Sequence, residues 1–308
     1  MFSDFADNVA NHFRTDLARA RQLVTPAWLA ALTAGDPVAE TPAAGWRLFE
    51  VGCDGDAEFA ASHIPGAVYL DTCRIEQAPL WNKVSDQALL ATLLSHGVRH
   101  DTTVILYGRN NLAAARLAHL MLYAGVSDVR LLDGGYALWL AGGHPCAQGA
   151  ATAAAPVADF GLAYPAHPEY LIDMAQARAL LAHPDGVLAS IRTAAEFLGK
   201  DSGYSYIAAR GDIPGARWGQ AGDDGDVNSM SAYHLANGRM KPAAELRQQW
   251  QSTGIIPGLR IAFYCGTGWR ASMAFFYAWL MGWPDISVYD GGWCEWSRDS
   301  SNPVLCRS

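Results

Sequence analysis

The feature that most constrains the fold of this chain is an internal repeat. Marker residues recur 157 positions apart without a gap, beginning with the pair Tyr107 and Tyr264 and ending with the pair Trp139 and Trp296. The other matched pairs are Gly125 with Gly282, Asp128 with Asp285, and Asp133-Gly134-Gly135 with Asp290-Gly291-Gly292. Because the chain has 308 residues, the repeat predicts two copies of one domain at about 150 residues each.

The repeat continues upstream with a change of spacing. His63-Ile64-Pro65-Gly66-Ala67 matches Asp212-Ile213-Pro214-Gly215-Ala216 at an offset of 149, and Glu58-Phe59 matches Glu196-Phe197 at an offset of 138. The second copy therefore carries about eleven extra residues in this region, and they include Gly203-Tyr204-Ser205-Tyr206.

Each copy alternates short apolar runs with helix-like segments. The pattern predicts four strands in each copy, one of them a short strand that follows the Ile-Pro-Gly turn. The other three are predicted at Arg47–Val51, Val104–Tyr107 and Val129–Leu132, and at Val187–Ile191, Arg260–Tyr264 and Ile286–Tyr289. Because strands and helices alternate, the sequence predicts an α/β fold of two tandem domains, each a mostly parallel sheet flanked by helices.

The domain boundaries follow from composition. We predict an N-terminal helical extension over 1–45, a first domain over 46–145, a linker over 146–168 and a second domain over 169–308. The apolar residues of Met1–Val24 recur at steps of three and four, which indicates an amphipathic helix rather than a signal peptide. A cytoplasmic location is expected, and a periplasmic one if a leader has been removed. The longest apolar run, Ala274–Trp283, is too short to span a bilayer.

Charge and cysteine usage exclude several classes of partner. The net charge of −8 argues against nucleic acid and against anionic membranes. The six cysteines show no Cys-x-x-Cys pair and no spacing typical of a metal site, so free thiols in a reducing compartment are expected. The sequence predicts neither a metal nor an organic cofactor.

A cysteine loop in the second copy carries the candidate chemistry. Cys265 ends the apolar run Ile261–Tyr264, Arg270 follows five residues later, and a helix is predicted from Ala271. Gly266 and Gly268 allow the backbone to curl tightly, so that its N–H groups and the helix N-terminus can stabilise a thiolate or the anion it attacks. A lone cysteine after a strand is most often a small buried residue, but the glycines and the arginine favour a reactive one.

The first copy lacks these groups. Gly108 stands where Cys265 stands, and Ala113 stands where Arg270 stands. With neither nucleophile nor positive charge, the first copy cannot run the same reaction, and we predict a structural role for it.

These motifs resemble those of the rhodanese family of sulfurtransferases. Asp212–Ala216 is similar to the family's Gly-His-Ile-Pro-Gly-Ala turn, and Asp290–Trp293 is similar to its Asp-Gly-Gly turn. Six residues run from Cys265 to Arg270, as in the sulfurtransferases, whereas the loop is one residue longer in phosphatase and arsenate-reductase relatives. The Cys-Gly-Thr-Gly-Trp-Arg loop, with Ser202–Ile207 upstream, resembles a bacterial branch of thiosulfate sulfurtransferases, unlike the Cys-Gly-Ser-Gly-Val-Thr loop of mercaptopyruvate sulfurtransferases. Tandem members of the family pair an inert first domain with an active second one.

The resemblance implies a reaction. A sulfane sulfur passes from thiosulfate to Cys265 as a persulfide, and then to a thiophilic acceptor such as cyanide, a thiol or a thiol carrier protein. The alternatives are mercaptopyruvate or polysulfide as donor, a cysteine-dependent phosphatase or arsenate reductase, and a non-catalytic binding module.

The resemblance also assigns roles to residues. Cys265 is the expected nucleophile and Arg270 the expected catalytic cation. The substrate-binding candidates are Gly266, Thr267, Gly268, Trp269, Arg192, Lys200 and Tyr204, with Tyr206 as a further aromatic residue near the cleft. One position departs from the family pattern, because Ser190 stands where many members carry an aspartate that braces the loop. Cys294 is expected to lie in the core.

Overall fold

The computed structural model describes residues 13–152 and 154–307. They divide into two compact units, of which the first comprises residues 13–75, 84–167 and 237–239, and the second comprises 76–83, 168–236 and 240–307. Each unit contains a five-stranded sheet in which all strand pairs are parallel. The predicted tandem α/β fold is confirmed.

The first unit builds its sheet in the order β1-β7-β6-β2-β3. Its strands are β1 (Leu23–Val24), β2 (Arg47–Gly52), β3 (Val68–Asp71), β6 (Thr103–Tyr107) and β7 (Asp128–Leu132). Its helices are α1 (Pro26–Ala34), α2 (Asp56–Ala61), α3 (Asp86–Ser95), α4 (Asn111–Ala124) and α5 (Gly135–Ala141). A core that includes Trp28, Ile105 and Trp139 packs against this sheet, so the unit has its own hydrophobic centre.

The second unit repeats this plan in the order β10-β9-β11-β12-β8. Its strands are β8 (Leu171–Ile172), β9 (Gly186–Ser190), β10 (Arg217–Trp218), β11 (Arg260–Tyr264) and β12 (Ile286–Tyr289). Its helices are α6 (Met174–Ala182), α7 (Ala194–Leu198), α8 (Ala243–Ser252), α9 (Trp269–Leu280) and α10 (Gly292–Trp296). Two further strands, β4 (Glu76–Gln77) and β5 (Asn82–Lys83), form an antiparallel hairpin that also belongs to this unit.

The predicted N-terminal helix is wrong where it can be compared. Residues 1–12 lie outside the described part, and residues 13–24 form turns, a 3-10 turn at Ala20–Gln22 and strand β1. Leu23 and Val24 are buried and pair with Leu131 and Leu132 of β7, so pairing at the edge of the sheet overrides the helical spacing. The first α-helix begins only at Pro26, with Thr25 as its N-cap.

The predicted linker is irregular and hydrogen-bonded to the first unit. Its backbone N–H groups at Val157 and Ala166 donate to carbonyls of Leu94 and Ala124. The carbonyl of Phe160 accepts from the N–H of His100. Because its polar backbone groups are paired in this way, the segment packs on the first unit instead of behaving as a free spacer.

All six cysteines are free thiols, as expected, and Cys294 is fully buried in the core of the second unit. Within the described residues, no helix has the length and apolar character that crossing a bilayer would need.

We expect a partly buried histidine to make the second unit sensitive to acid. His234 Nε2 lies 2.8 Å from the hydroxyl of Tyr277, and burial, aided by the charge of Lys241, lowers the pKa of His234 from 6.5 to about 4. Because the folded pKa lies below the unfolded one, the contribution to stability is present above about pH 6.5 and is lost as the pH falls toward 4. The free energy of unfolding of the wild type, measured in urea, should fall by up to about 3 kcal/mol over this pH range because of His234 alone. His234→Gln should lose correspondingly less, and equal losses in the two proteins would show that His234 is not the sensor.

Candidate active site

The sulfur of Cys265 lies at the start of a helix. Cys265 follows β11 directly and is 1% exposed, and the backbone N–H of Gly268 donates to its Sγ at 3.2 Å. Gly268 caps the twelve-residue helix α9 with φ at 103°, a conformation that glycine adopts without strain. The N-terminus of α9 therefore places its partial positive charge beside the sulfur.

The Asp-Gly-Gly turn holds the loop from the other side. The N–H groups of Trp293 and Cys294 donate to the carbonyls of Cys265 at 2.8 Å and Gly266 at 3.0 Å. Gly292 has a φ of 50°, and a Cβ atom there would lie 2.6 Å from the carbonyl oxygen of Cys265. The glycine of this motif is therefore required because the loop backbone passes directly against it.

Arg270 is buried and paired instead of open to solvent. Its Nη1 and Nη2 donate to the two carboxylate oxygens of Glu196 at 2.8 and 2.9 Å, and Nη2 also donates to the hydroxyl of Tyr204 at 2.8 Å. Burial alone would raise the pKa of Glu196, but Arg270, with help from Arg192, holds it below its usual value. The sequence predicted a cation ready to meet substrate, whereas the structure gives Arg270 two protein partners.

Tyr204 joins this pair to the cysteine loop. Its hydroxyl also accepts the N–H of Gly266 at 3.3 Å, and a Cβ atom at Gly266 would lie 2.3 Å from its ring. Burial raises the pKa of Tyr204, so the hydroxyl is neutral at ordinary pH. The structure thus brings Tyr204 into direct contact with the loop, and its role in binding substrate stays a prediction.

Arg192 lies deeper in the unit than the sequence analysis expected. It is fully buried, its Nη1 and Nη2 donate to the carbonyls of Gly211 at 2.6 Å and Ser202 at 3.2 Å, and its guanidinium pairs with Asp212 at 3.3 Å. Since a buried guanidinium is stable only when paired, the end of β9 uses Arg192 to tie the insert to the sheet. These contacts are a structural alternative to the expected binding of a donor anion.

Asp212 supplies the carboxylate that the family pattern led us to expect at position 190, where this chain has Ser190. The carboxylate of Asp212 accepts from Ser190 Oγ at 2.8 Å and from the hydroxyl of Tyr264. Ser190 and Tyr264 are register partners on β9 and β11. The carboxylate therefore comes from the turn instead of from the strand, and it accepts from Tyr264, the residue directly before Cys265. The signal was present in the sequence, because Asp212 occupies the place of the histidine in the family's turn.

The corresponding loop of the first unit is closed by an ion pair. Arg109 Nε donates to Glu50 at 2.9 Å, and the hydroxyl of Tyr107 donates to the same carboxylate at 2.7 Å. The guanidinium of Arg109 also lies 4.5 Å from the ring centre of Tyr136. With Gly108 in the place of a cysteine, this loop presents no thiol.

Three other candidates have different surroundings. Thr267 is buried and its side chain lies near the hydroxyl of Tyr206, whose pKa is raised mainly by burial. Trp269 donates its indole N–H to Glu76 at 2.8 Å. Lys200 is exposed just after α7, and no described contact joins its side chain to the loop.

Two glutamates at this site were missed by the sequence analysis. The sequence analysis named Glu196 only as a marker of the repeat, although it is 2% exposed and binds Arg270. The capping box formed by Thr193 and Glu196 was a local signal for the position of this carboxylate. Glu76 gave no signal, because its partner Trp269 lies 193 residues away.

Comparison with known proteins places these two units in a family. Residues 27–142 and 173–299 each match the family model of the rhodanese-like domain. The chain belongs to the rhodanese family. The resemblance in the Ile-Pro-Gly and Asp-Gly-Gly motifs was therefore a correct guide to the family.

The chain is similar to YnjE, a thiosulfate sulfurtransferase of Escherichia coli. The two are 51% identical over 288 residues, which cover 94% of this chain and 66% of YnjE, so the chain spans slightly less than two thirds of that relative. Its fold matches the crystal structure of YnjE with a TM-score of 0.91, over 95% of this chain and 70% of that one.

Two further relatives share most of the chain. SseB of Mycobacterium tuberculosis, a putative thiosulfate sulfurtransferase, is 31% identical over 298 residues, covering 93% of this chain and 98% of SseB. A solved structure of an EanB variant holds a cysteine persulfide in a tetrahedral intermediate state with ergothioneine. It matches with a TM-score of 0.89 at 36% identity, over 95% of this chain and 72% of that one.

Proposed function

We propose that this rhodanese is a thiosulfate sulfurtransferase that carries sulfur on Cys265. The observation that carries this proposal is the N–H of Gly268 donating to Sγ at 3.2 Å, at the N-terminus of a long helix. That geometry stabilises a negative charge on sulfur, first on the thiolate and then on its persulfide. The relatives named for thiosulfate sulfurtransfer support the same activity.

The pairing of Arg270 favours sulfur chemistry over phosphate chemistry. A phosphatase needs a guanidinium that faces the transferred group, because its transition state spreads charge over several oxygens. Here both terminal nitrogens of Arg270 are bound to Glu196 and Tyr204. A single sulfur atom needs fewer donors, and the backbone N–H of Gly268 already donates to Sγ.

The reaction has two displacement steps. The Cys265 thiolate attacks the outer sulfur of thiosulfate, a new S–S bond forms, and the S–S bond of the donor breaks as sulfite leaves with the electron pair. A thiophile then attacks the outer sulfur of the persulfide. With cyanide the products are thiocyanate and the regenerated Cys265 thiolate, so electrons and atoms balance without an added oxidant or reductant.

The residues around the cysteine loop hold the loop in its conformation, and none of them forms or breaks a covalent bond in this scheme. Glu196, Arg270 and Tyr204 hold Gly266 in place, and Asp212 supports the end of β11 through Tyr264. The acceptor in this proposal is cyanide, a small thiol or the thiol of a carrier protein. Because the cycle needs Cys265 as a free thiolate, it suits a reducing compartment such as the cytoplasm.

A panel of sulfur donors tests the donor in this proposal. The protein is incubated with thiosulfate, 3-mercaptopyruvate or polysulfide, and thiocyanate is measured after cyanide is added. We expect thiosulfate to give the highest turnover per Cys265. Turnover with mercaptopyruvate or polysulfide alone would overturn the donor and keep the persulfide, and hydrolysis of a phosphate ester at a comparable rate would overturn the reaction class.

A further inference from the structure

A hairpin from the first repeat is part of the catalytic unit. β4 and β5 lie within the first repeat by sequence, yet residues 76–83 pack with the second unit. The N–H of Lys83 donates to Asp290 at 2.7 Å, and Asn82 donates to Glu295 at 3.3 Å. Asp290 lies just before α10 and Glu295 lies within it. Because N–H groups of α10 hold the cysteine loop, the hairpin is fixed beside that loop.

The first residue of this hairpin is a buried carboxylate that reaches the loop itself. Glu76 is 3% exposed, and its Oε1 accepts the indole N–H of Trp269 at 2.8 Å. A carboxylate is costly to bury, and a hydrogen bond to a charged acceptor is stronger than one between neutral groups. The contact therefore holds the indole more firmly than packing alone would.

We propose that Glu76 is a positioning residue for Cys265 that acts through Trp269. Trp269 is the first residue of α9 and directly follows Gly268, whose N–H donates to the cysteine sulfur. By fixing the indole, Glu76 fixes the first turn of α9 and with it the direction of that N–H. A repeat that has lost its own thiol thus supplies a group that orients the thiol of the other repeat. This proposal goes beyond the proposed function. Only its sulfur-transfer measurement depends on that function being correct.

The hairpin also contacts the aromatic residues of the insert. The ring of Trp81 lies 6.3 Å from that of Tyr206, and Tyr206 lies 5.5 Å from Tyr204. The pKa of Tyr206 is raised mainly by burial, and the charges of Cys265 and Glu76 raise it further. The carboxylate therefore lies close to the aromatic residues of the insert, one of which contacts the cysteine loop.

A double-mutant cycle tests this role. The variants are Glu76→Ala, Glu76→Gln, Trp269→Phe and the double variant Glu76→Ala/Trp269→Phe. Gln77→Ala is the matched control, since Gln77 is the exposed neighbour on the same strand. The readouts are the second-order rate of Cys265 alkylation by iodoacetamide, and kcat and KM for sulfur transfer.

We expect Glu76→Ala to slow alkylation about tenfold, which corresponds to about 1.4 kcal/mol. Glu76→Gln should lose less, because its amide oxygen still accepts the indole N–H, and Gln77→Ala should match the wild type. In the Trp269→Phe background, Glu76→Ala should have little further effect. Additive losses in the cycle would overturn the proposal, as would a wild-type alkylation rate in Glu76→Ala.

The indole N–H signal of Trp269 gives a second, spectroscopic readout. The chain has 11 tryptophans, and the signal missing from the ¹H–¹⁵N spectrum of Trp269→Phe identifies the one at position 269. That signal should shift in Glu76→Ala and stay in place in Gln77→Ala. An unmoved signal in a folded Glu76→Ala protein would contradict the contact. Alkylation and the indole signal need no sulfur donor, so they remain informative if thiosulfate fails to load the wild type.

Discussion

Cys265→Ser should lose sulfur transfer to cyanide by at least about four orders of magnitude, because removal of a covalent nucleophile leaves only the residual effect of the binding site. A serine hydroxyl is a far weaker nucleophile at neutral pH, and it cannot carry sulfur as a persulfide. Thiocyanate formation from thiosulfate, followed with purified protein, measures the loss.

Cys306→Ser is the matched control for that experiment. Cys306 is an exposed thiol of the same unit, so its replacement should leave turnover near the wild-type rate. Retained turnover in Cys265→Ser, or an equal loss in Cys306→Ser, would mean that another thiol carries the sulfur.

Glu196→Gln should destabilise the second unit by about 3–5 kcal/mol, because it removes the charged partner of a buried guanidinium. Glu196 accepts two hydrogen bonds from Arg270, and it also lies 3.4 Å from Arg192. The amide of glutamine would turn one N–H donor toward arginine donors, so part of this network would lose its partners. Urea unfolding at about pH 7 measures the change.

Glu245→Gln makes the same chemical change at an exposed position of α8. It should alter stability by no more than about 0.5 kcal/mol.

The stabilising effect of Glu196 should also depend on pH with a defined sign. Its pKa is lowered in the folded state, so the effect is present above the unfolded value and is lost as the pH falls through the folded one. A Glu196→Gln protein as stable as Glu245→Gln would show that the buried network contributes little.

Much of the fold could be predicted because the repeat and the strand pattern are local properties of the chain. The apolar runs before Gly108 and Cys265 are read directly as buried parallel strands, and both are central strands in the structure. The N-terminal helix failed for the opposite reason. The spacing around Leu17 fits a helix, but Leu23 and Val24 pair with the edge of a sheet formed by residues more than a hundred positions away.

The residues of the cysteine loop could be predicted from the sequence, whereas the contacts that residues of other elements make with the loop could not. Cys265, its glycines and Arg270 are adjacent in sequence, so their meeting needed no knowledge of the fold. The partners of Arg270 come from α7 and from the insert, and their distances depend on how the whole unit packs. An arginine in sequence does not reveal whether its partner is a substrate or a buried glutamate.

The hairpin at Glu76–Lys83 shows the same limit more clearly. Its two strands are two residues long, so no periodicity marks them. Nothing local indicates that this segment leaves its own repeat to pack with the other, and the bond between Glu76 and Trp269 becomes visible only in three dimensions.

The central claim, that Cys265 carries sulfur from thiosulfate as a persulfide, is tested most directly by intact mass. After incubation with thiosulfate and removal of excess donor, the wild type should gain about 32 Da, one sulfur atom, and peptide mapping should place it on Cys265. Cyanide should remove the added mass. An unchanged mass for the wild type, or the same gain in Cys265→Ser, would contradict the account.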